Sequence, residues 1–359
     1  MISLYASNII TPYHLAGLNS FILSLGKDVQ LEGEVFLNNE VWDKPLVGEA
    51  QLLGFPASIK VHNKDLKFSL FSLICACLLL VFRRSSKAKL FILGHSRVNL
   101  KLIAYLYEQG VIDWKTAFST VIFDEGIGSY GGGVYRFKVF CKQASPSIMH
   151  SLAFIIVHPL NQVLLRLSFI IDHNWRLIRY TNLGGIQANE LAVSNYRRYF
   201  ESICEPNIQA QSKVVVLITQ PLVEVGYMKE EDYWQCLRLL TEKVVNNGYQ
   251  FFIKPHPIES RMRYECLEAT LIDDSRPAEC VLLELKPVLI FGMTSTAMIN
   301  SKLILDMESY CINALFEGNE KLINVSGKDP FIRDIFNEYV NKVQSWEHLG
   351  GLLAANTEC

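Results

Sequence analysis

Short runs of apolar residues, many of them β-branched, alternate along the chain with segments whose apolar positions recur at helical spacing. The runs 2–10, 89–93 and 120–123 have the length and composition of buried strands, and 100–109 has the spacing of a helix. Because strands and helices alternate in this order, the pattern predicts a mainly parallel sheet covered by helices.

The same alternation starts again after the polar stretch 205–212. The runs 214–219, 250–253 and 288–291 are predicted as buried strands, and 230–247 as an amphipathic helix. The second half of the chain therefore repeats the α/β pattern of the first.

Two such repeats in a chain of 359 residues predict two Rossmann-like domains, which we place at 1–209 and 210–359. We expect the domains to face each other across a cleft. In an open parallel sheet, ligands bind beyond the carboxyl ends of the strands. Chemistry is therefore expected in the loops that follow the predicted strands.

A pair of carboxylates followed by a glycine, Asp124-Glu125-Gly126, directly follows the strand at 120–123. Adjacent residues leaving a strand point in different directions, so we expect one carboxylate to face the cleft. Loss of solvent there raises its proton affinity, which suits a general base, and Gly126 allows a substrate to approach closely. The alternative is a loop whose acids cap a helix or bind a backbone amide.

A histidine between two prolines, in Lys254-Pro255-His256-Pro257, follows the strand at 250–253. The prolines stiffen the loop and hold the imidazole in one orientation. There it can donate a hydrogen bond or a proton to a phosphate oxygen. We expect Lys254, His256 and Pro257 to lie on the donor side, and the alternative is a histidine packed at a strand end.

Hydroxyl side chains, Thr294-Ser295-Thr296, follow the strand at 288–291 and begin a predicted helix. Unpaired backbone amides and the helix dipole favour an anion at this position. One hydroxyl can cap the helix while another binds phosphate. Simple capping is the alternative.

Four further residues are candidates for the donor pocket. Glu279 precedes the last buried strand and is a candidate acceptor for a ribose or a base amine. Gln220 ends the strand at 214–219, and Asn8 and Thr11 lie at the end of the first strand. Residues of these types at such positions are more often part of a turn than ligands.

Composition excludes several classes of protein. A formal net charge of −2 gives no reason to expect nucleic acid as partner, and nine cysteines without a CxxC pair favour reduced thiols in the cytoplasm over a zinc site. The sequence has no GxxxxGK[ST] loop, no DxD triplet and no GxSxG elbow. We therefore expect neither a P-loop phosphotransferase nor a metal-chelating DxD transferase nor a hydrolase of that type.

The apolar run 68–82 raises the question of a membrane. It is shorter than the roughly 20 residues needed to span a bilayer. The preferred interpretation is a buried helix of the first domain. The alternative is a membrane-facing helix whose flanking Arg83, Arg84, Lys87 and Lys89 meet anionic headgroups.

The three motifs together resemble the bacterial sialyltransferases of the GT-B fold, which share a D/E-D/E-G motif, then HP, then a serine/threonine pair. The opening Thr11-Pro12-Tyr13-His14-Leu15 resembles that of the lipooligosaccharide sialyltransferase and polysialyltransferase families. The corresponding residues, in order, are Asp124-Glu125-Gly126, His256-Pro257 and Ser295-Thr296.

This resemblance implies an inverting transfer of sialic acid, or a related nonulosonic acid, from its CMP-activated donor to a hydroxyl of a lipooligosaccharide or capsule. Asp124 or Glu125 would deprotonate the acceptor, His256 would stabilise or protonate the departing phosphate, and Ser295 and Thr296 would hold that phosphate. It implies no cofactor and no metal, an acceptor-side first domain and a donor-binding second domain. We expect a cytoplasmic enzyme with peripheral contact to the inner membrane.

Three alternatives stay open from the sequence. A related transferase would use another CMP-activated keto-sugar, such as legionaminic, pseudaminic or Kdo-type acids. A non-catalytic glycan-assembly protein would retain only a degenerate site. A two-domain epimerase acting on a sugar nucleotide would use several cleft carboxylates and UDP.

Overall fold

The structure is a computed structural model of the whole chain, divided into two compact units, Met1–Tyr199 and Phe200–Cys359. The predicted domain boundary between 209 and 210 lies outside the described residues. The residues that the structure describes are 1–9, 11–26, 29–37, 56, 58–63, 66–95, 98–124, 171–180, 185–204, 213–224, 226–256, 258–272, 276–316 and 330–356.

The first unit is built on a six-stranded sheet in the order β3-β2-β1-β4-β5-β6, in which every pair is parallel. Its strands are β1 (Ile2–Ile9), β2 (Leu31–Leu37), β3 (Ile59–Asn63), β4 (Leu90–His95), β5 (Ser119–Phe123) and β6 (His173–Trp175). A short antiparallel pair follows, consisting of β7 (Ile178–Tyr180) and β8 (Ile186–Ala188).

Among the described residues, four helices follow strands of this unit: α1 (Pro12–Ser24), α2 (Leu70–Phe82), α3 (Leu100–Glu108) and α4 (Glu190–Ile203). The residues at the start of helix α1 are ones that favour a helix N-terminus. Thr11 caps it by accepting a hydrogen bond from the amide of His14, and Pro12 occupies the first turn, where no amide donor is needed.

The second unit contains a six-stranded sheet in the order β11-β10-β9-β12-β13-β14, also parallel throughout. Its strands are β9 (Val214–Ile218), β10 (Gln250–Lys254), β11 (Thr270–Leu271), β12 (Leu289–Gly292), β13 (Ser309–Cys311) and β14 (Asn341–Lys342). The α-helices in the part of this unit that the structure describes are α5 (Glu230–Asn246), α6 (Ala278–Leu285), α7 (Thr296–Leu305), α8 (Pro330–Tyr339) and α9 (Trp346–Ala355).

Both sheets reverse their strand order at the first strand of the unit. β2 and β3 lie on one side of β1, and β4 lies on the other; β10 and β12 flank β9 in the same way. This is the topological switch point at which parallel α/β sheets bind ligands. The strands and helices predicted from the sequence are thereby confirmed, with shifts of a residue or two at their ends.

The prediction made for the apolar run 68–82, which forms helix α2, requires one correction. The predicted helix forms, and its inner face is buried through Ser72, Cys75, Ala76 and Leu79. Its other face is exposed, so the preferred interpretation of a buried helix is wrong for that face. The run is apolar on all sides, so its sequence has no polar stripe from which the outer face could be identified. No helix among the described residues is both long enough and apolar enough to cross a bilayer.

Candidate functional site

Three predicted loops meet at the switch point of the second sheet. They follow β10, β9 and β12, which are neighbours in that order. Because adjacent strands are about 4.8 Å apart, the ends of β10 and β12 lie roughly 10 Å from each other, on either side of β9. The His256 loop and the Thr294-Ser295-Thr296 loop are therefore brought to one edge of one sheet.

His256 is fixed by hydrogen bonds to its backbone and ring. Its amide donates to Thr219 Oγ1 (3.0 Å) and to Glu259 Oε2 (2.8 Å), and its ring Nδ1 accepts from the amide of Ile258 (3.4 Å). With Nδ1 accepting, the proton of the neutral imidazole is placed on Nε2. That N–H is the group able to donate to a phosphate oxygen.

The charge state of His256 follows from its surroundings. Burial lowers the pKa of this imidazole from its ordinary value of 6.5 to about 4; the carboxylate of Glu224 opposes the shift and Lys254 reinforces it. The ring is therefore neutral near pH 7 and acts first as a hydrogen-bond donor. A dianionic phosphate beside it favours the imidazolium and raises its pKa again.

A carboxylate that the sequence analysis missed, Glu259, supports this loop. It is buried and accepts hydrogen bonds from the His256 amide (2.8 Å) and from the hydroxyls of Tyr264 (2.8 Å), Tyr233 (3.3 Å) and Thr219. Burial raises the pKa of Glu259, and the hydrogen bonds oppose that shift. The available signal was an acid three residues after a histidine flanked by prolines.

The hydroxyl loop is built around the start of α7. Ser295 is the N-cap, and its Oγ accepts from the amide of Ala297 (3.3 Å). Thr296 is the first residue of the helix, and the hydroxyl of Thr294 donates to Oε1 of Gln220. Capping is thus observed at Ser295, and the serine proton remains a possible donor to an anion at the helix start.

Two consecutive residues at the end of β9 connect the two loops. Thr219 binds the His256 amide through its hydroxyl and the Lys254 carbonyl through its own amide (3.2 Å). Gln220 accepts from Thr294. The three strand ends therefore form one hydrogen-bonded edge, from His256 through β9 to the hydroxyl loop.

Glu279 and Lys254 lie deeper in the same unit. Glu279 is in the first turn of α6, where its Oε1 accepts from Asn300 of α7 (2.6 Å). Burial raises the pKa of Glu279, opposed by the bond from Asn300 and by the charge of Lys254. In this position Glu279 fixes α7, the helix that begins with the hydroxyl loop, and its role toward a ribose or base stays a prediction.

In the first unit, Asp124 ends β5 and is buried. Its Oδ2 accepts from the amide of Leu177 (3.0 Å), so this carboxylate binds backbone. The rings of His14, in α1, and His95, at the end of β4, stack with centroids 4.6 Å apart, and each lies 6.2 Å from the ring of Phe123. The sequence analysis did not single out this pair. Predicted site residues Glu125, Gly126 and Pro257, and the side chain of Asn8, lie outside the described residues.

Three solved structures with similar overall folds are a complex with UDP, the GT-B domain of a transferase, and an epimerase. MnaA of S. aureus with UDP is 10% identical, with 95% of this chain and 92% of that chain covered and a TM-score of 0.49. The GT-B domain of a sialyltransferase from Photobacterium damselae is 13% identical, with 95% of this chain and 100% of that chain covered and a TM-score of 0.43. UDP-GlcNAc 2-epimerase from Neisseria meningitidis bound to UDP-GlcNAc is 14% identical, with 98% of this chain and 94% of that chain covered and a TM-score of 0.43. With TM-scores below 0.5, these similarities say nothing about ligand or reaction.

No curated protein matches the chain at a significant level. The two α/β units, each with a parallel sheet, confirm the predicted α/β, GT-B class. The Alpha-2,8-polysialyltransferase (POLYST) family matches residues 98–313, which is more than half of the chain. The sequence resemblance to sialyltransferases is thereby confirmed, and the chain belongs to the alpha-2,8-polysialyltransferase family of glycosyltransferases.

Proposed function

We propose that the protein is an inverting, metal-independent transferase that moves sialic acid, or a related nonulosonic acid, from its CMP-activated donor to a hydroxyl of a surface glycan. The observation that supports this best is the hydrogen-bonded edge in which Thr219 and Gln220 join His256 to the hydroxyl loop. It places a neutral imidazole and a helix start at one switch point, which suits a phosphate that gains charge as it leaves.

At the donor end, the phosphate of CMP binds the start of α7. Ser295 and Thr296 offer hydroxyl protons, and the backbone amides of the first turn add a partial positive charge. His256 donates a hydrogen bond from Nε2 to a phosphate oxygen, and this bond strengthens as negative charge develops on that oxygen. These groups neutralise the leaving phosphate without a metal ion.

At the acceptor end, a carboxylate of the Asp124-Glu125 pair removes the proton of the attacking hydroxyl. Asp124 is buried and its Oδ2 binds the amide of Leu177, so it is suited to fixing the end of β5. This favours Glu125 as the base. The oxygen then attacks the anomeric carbon from the face opposite the departing CMP, which inverts the configuration.

The acceptor we propose is a growing surface glycan, in a lipooligosaccharide or a capsule. The family description, alpha-2,8-polysialyltransferase, favours an acceptor that already ends in sialic acid and is extended repeatedly. Such an acceptor is assembled at the cytoplasmic face of the inner membrane, where we place the enzyme as a peripheral protein.

Nucleotide choice tests this proposal. We expect CMP, in the presence of a chelator, to raise the unfolding temperature, and UDP, GDP and ADP to leave it unchanged. Stabilisation by UDP without any effect of CMP would reject the proposed donor and favour a sugar-nucleotide epimerase. A panel of CMP-activated keto-sugars then separates sialic acid from legionaminic, pseudaminic and Kdo-type donors.

Release of CMP from the donor tests the named residues. We expect His256→Ala and Glu125→Ala to lose most of the activity, and Asp124→Asn to lose stability as well. His348→Ala is the matched control, since His348 is an exposed histidine far along the chain from the motifs. Near-normal release by His256→Ala and Glu125→Ala would remove both from the mechanism.

A further inference from the structure

Helix α2 presents an apolar face to solvent. The residues of this outer face are large and exposed, and they fall within about 120° of the helix circumference at 3.6 residues per turn. Of the fourteen exposed large apolar side chains in the described part of the chain, six lie on this one helix. The residues of the outer face are Leu70, Phe71, Ile74, Leu78, Val81 and Phe82.

The helix is held firmly from its other side. Ala76 and Leu79 pack into the core of the first unit, together with residues of β4 and α3. The Ser72 hydroxyl donates to Glu108 (2.7 Å), and the same carboxylate accepts from the amide of Ser69 (2.7 Å) at the start of the helix. A fixed inner face means that the outer face is displayed in the folded protein and does not result from fraying.

The charged side chains that follow α2 along the chain are basic, while the carboxylate of Glu108 is held by Ser69 and Ser72 at the start of the helix. Residues 66–107 contain seven lysines and arginines and no aspartate or glutamate, although the whole chain has a net charge of −2. Arg84 is paired with Asp172 (2.6 Å), while Arg83, Lys87 and Lys89 are exposed directly after the helix. The apolar face is therefore bordered by positive charge that matches an anionic surface.

We propose that α2 lies in the plane of an anionic phospholipid surface, with its outer face in the boundary between headgroups and acyl chains. At 1.5 Å per residue the helix is about 20 Å long, which is short of the roughly 30 Å needed to cross the hydrocarbon core. An in-plane helix instead buries its apolar side about 5–10 Å deep, while flanking basic residues bind the headgroups. Phe71 and Val81, which are 67% and 72% exposed, lie on either side of the centre of this face.

Vesicle flotation of the full chain, without donor or acceptor, tests this surface independently of the transfer reaction. We expect binding to phosphatidylcholine vesicles that contain phosphatidylglycerol, and little binding to phosphatidylcholine alone. Phe71→Glu with Val81→Glu should lower the partition coefficient by about tenfold or more, because two inserted apolar side chains are lost. Leu191→Glu is the matched control, since Leu191 is 61% exposed on α4.

The basic border is tested with Arg83, Lys87 and Lys89 changed to glutamine. This triple variant should lose binding to anionic vesicles at low salt and resemble the wild type at high salt, where screening removes the contribution of the charges. Equal binding of wild type and the Phe71/Val81 variant would overturn the proposal. So would a wild-type dimer in sedimentation that the same variant dissociates without any change in vesicle binding, because a second copy would then cover the face.

Discussion

At the scale of single residues, the His256 loop rests on a buried carboxylate. Glu259 accepts four hydrogen bonds, one of them from the amide of His256 itself. A buried acceptor with four donors aimed at it is specific for a carboxylate, since any group that brings its own protons leaves donors unsatisfied. In the proposed site, Glu259 is therefore a positioning residue that acts on the phosphate through His256.

Glu259→Gln should separate this role from a merely structural one. The amide nitrogen of glutamine faces donors, and we expect the free energy of unfolding to fall by roughly 1–3 kcal/mol per donor left unpaired. The pKa of His256, followed by NMR, should also move from its position near 4, since the loop that buries the ring shifts. Glu268→Gln, at an exposed acid of the same segment, should change neither quantity.

The lowered pKa of His256 predicts a pH dependence of stability. At pH values well above 6.5 the imidazole is neutral in both folded and unfolded chains, so its titration contributes nothing to stability. As pH falls from 6.5 toward 4, the unfolded chain binds a proton that the folded chain does not, and stability is lost.

Between about pH 7 and about pH 4.5, wild type should lose roughly 2 to 3 kcal/mol more than His256→Asn, which has no proton to take up. Urea unfolding of both chains at the two pH values measures the difference. Parallel losses would mean that the histidine is not buried as the structure has it. Bound CMP should reduce the difference, because a phosphate raises the pKa of His256 again.

Whether the sequence predicts a site residue depends on how closely that residue follows a recognisable strand. His256 and Ser295 follow recognisable strands within a few residues, so local pattern was sufficient to propose them. Tyr233 and Tyr264 come from α5 and from a short 3-10 helix, and they reach Glu259 only through packing. No periodicity in the sequence indicates that the two tyrosines and Glu259 come together.

At the scale of elements, the proposed site gives Ser295, at the start of α7, two functions. Ser295 accepts from the amide of Ala297 as a helix cap, and in the proposed site it also donates to the phosphate. A serine also caps α9, where Ser345 accepts from the amide of His348 (3.1 Å). We propose no ligand role for Ser345. These two caps allow a matched comparison.

Ser295→Asp should keep the cap and lose the ligand. Aspartate caps a helix about as well as serine, so the unfolding free energy should change by less than about 1 kcal/mol. Its negative charge repels a phosphate, so CMP affinity measured by calorimetry should fall at least tenfold. Ser345→Asp should change neither quantity. Unchanged CMP affinity in Ser295→Asp would leave Ser295 as a cap only.

Strands that are buried at every position could be predicted from the sequence. For a helix buried on one side only, the sequence predicted the helix but left its buried face ambiguous. β5 and β9 are buried at every position, and their β-branched runs indicated them directly. α2 is equally apolar on its buried and exposed sides, so its sequence specified a helix without specifying which face meets the core. That information exists only in the packing of Ala76 and Leu79 against α3 and the sheet.

At the scale of the whole molecule, the two units repeat one topology with different polar side chains after their strands. Both sheets place the first strand third in the order, with the second and third strands on one side and the fourth, fifth and sixth on the other. The first unit ends β5 in a carboxylate, Asp124, and the second ends β10 and β12 in His256 and the hydroxyl loop. The alternation of strands and helices predicted this repeat, because each α/β unit follows the same local rules.

Because the proposed phosphate site lies in the second unit, we expect a bound nucleotide to slow hydrogen exchange in that unit. Hydrogen exchange followed by mass spectrometry should show that CMP slows exchange in the loops after β9, β10 and β12, including the amides of His256 and Ala297, whose partners are at the proposed phosphate site. The start of α1, where Thr11 caps the helix, should exchange unchanged, because its hydrogen bonds lie wholly within the first unit. At a CMP concentration of about 100 times Kd, linkage adds roughly 2.7 kcal/mol to the stability of the unit that binds it. Protection confined to the second unit is the expected result, and protection centred on α1 and β5 would move the donor site to the first.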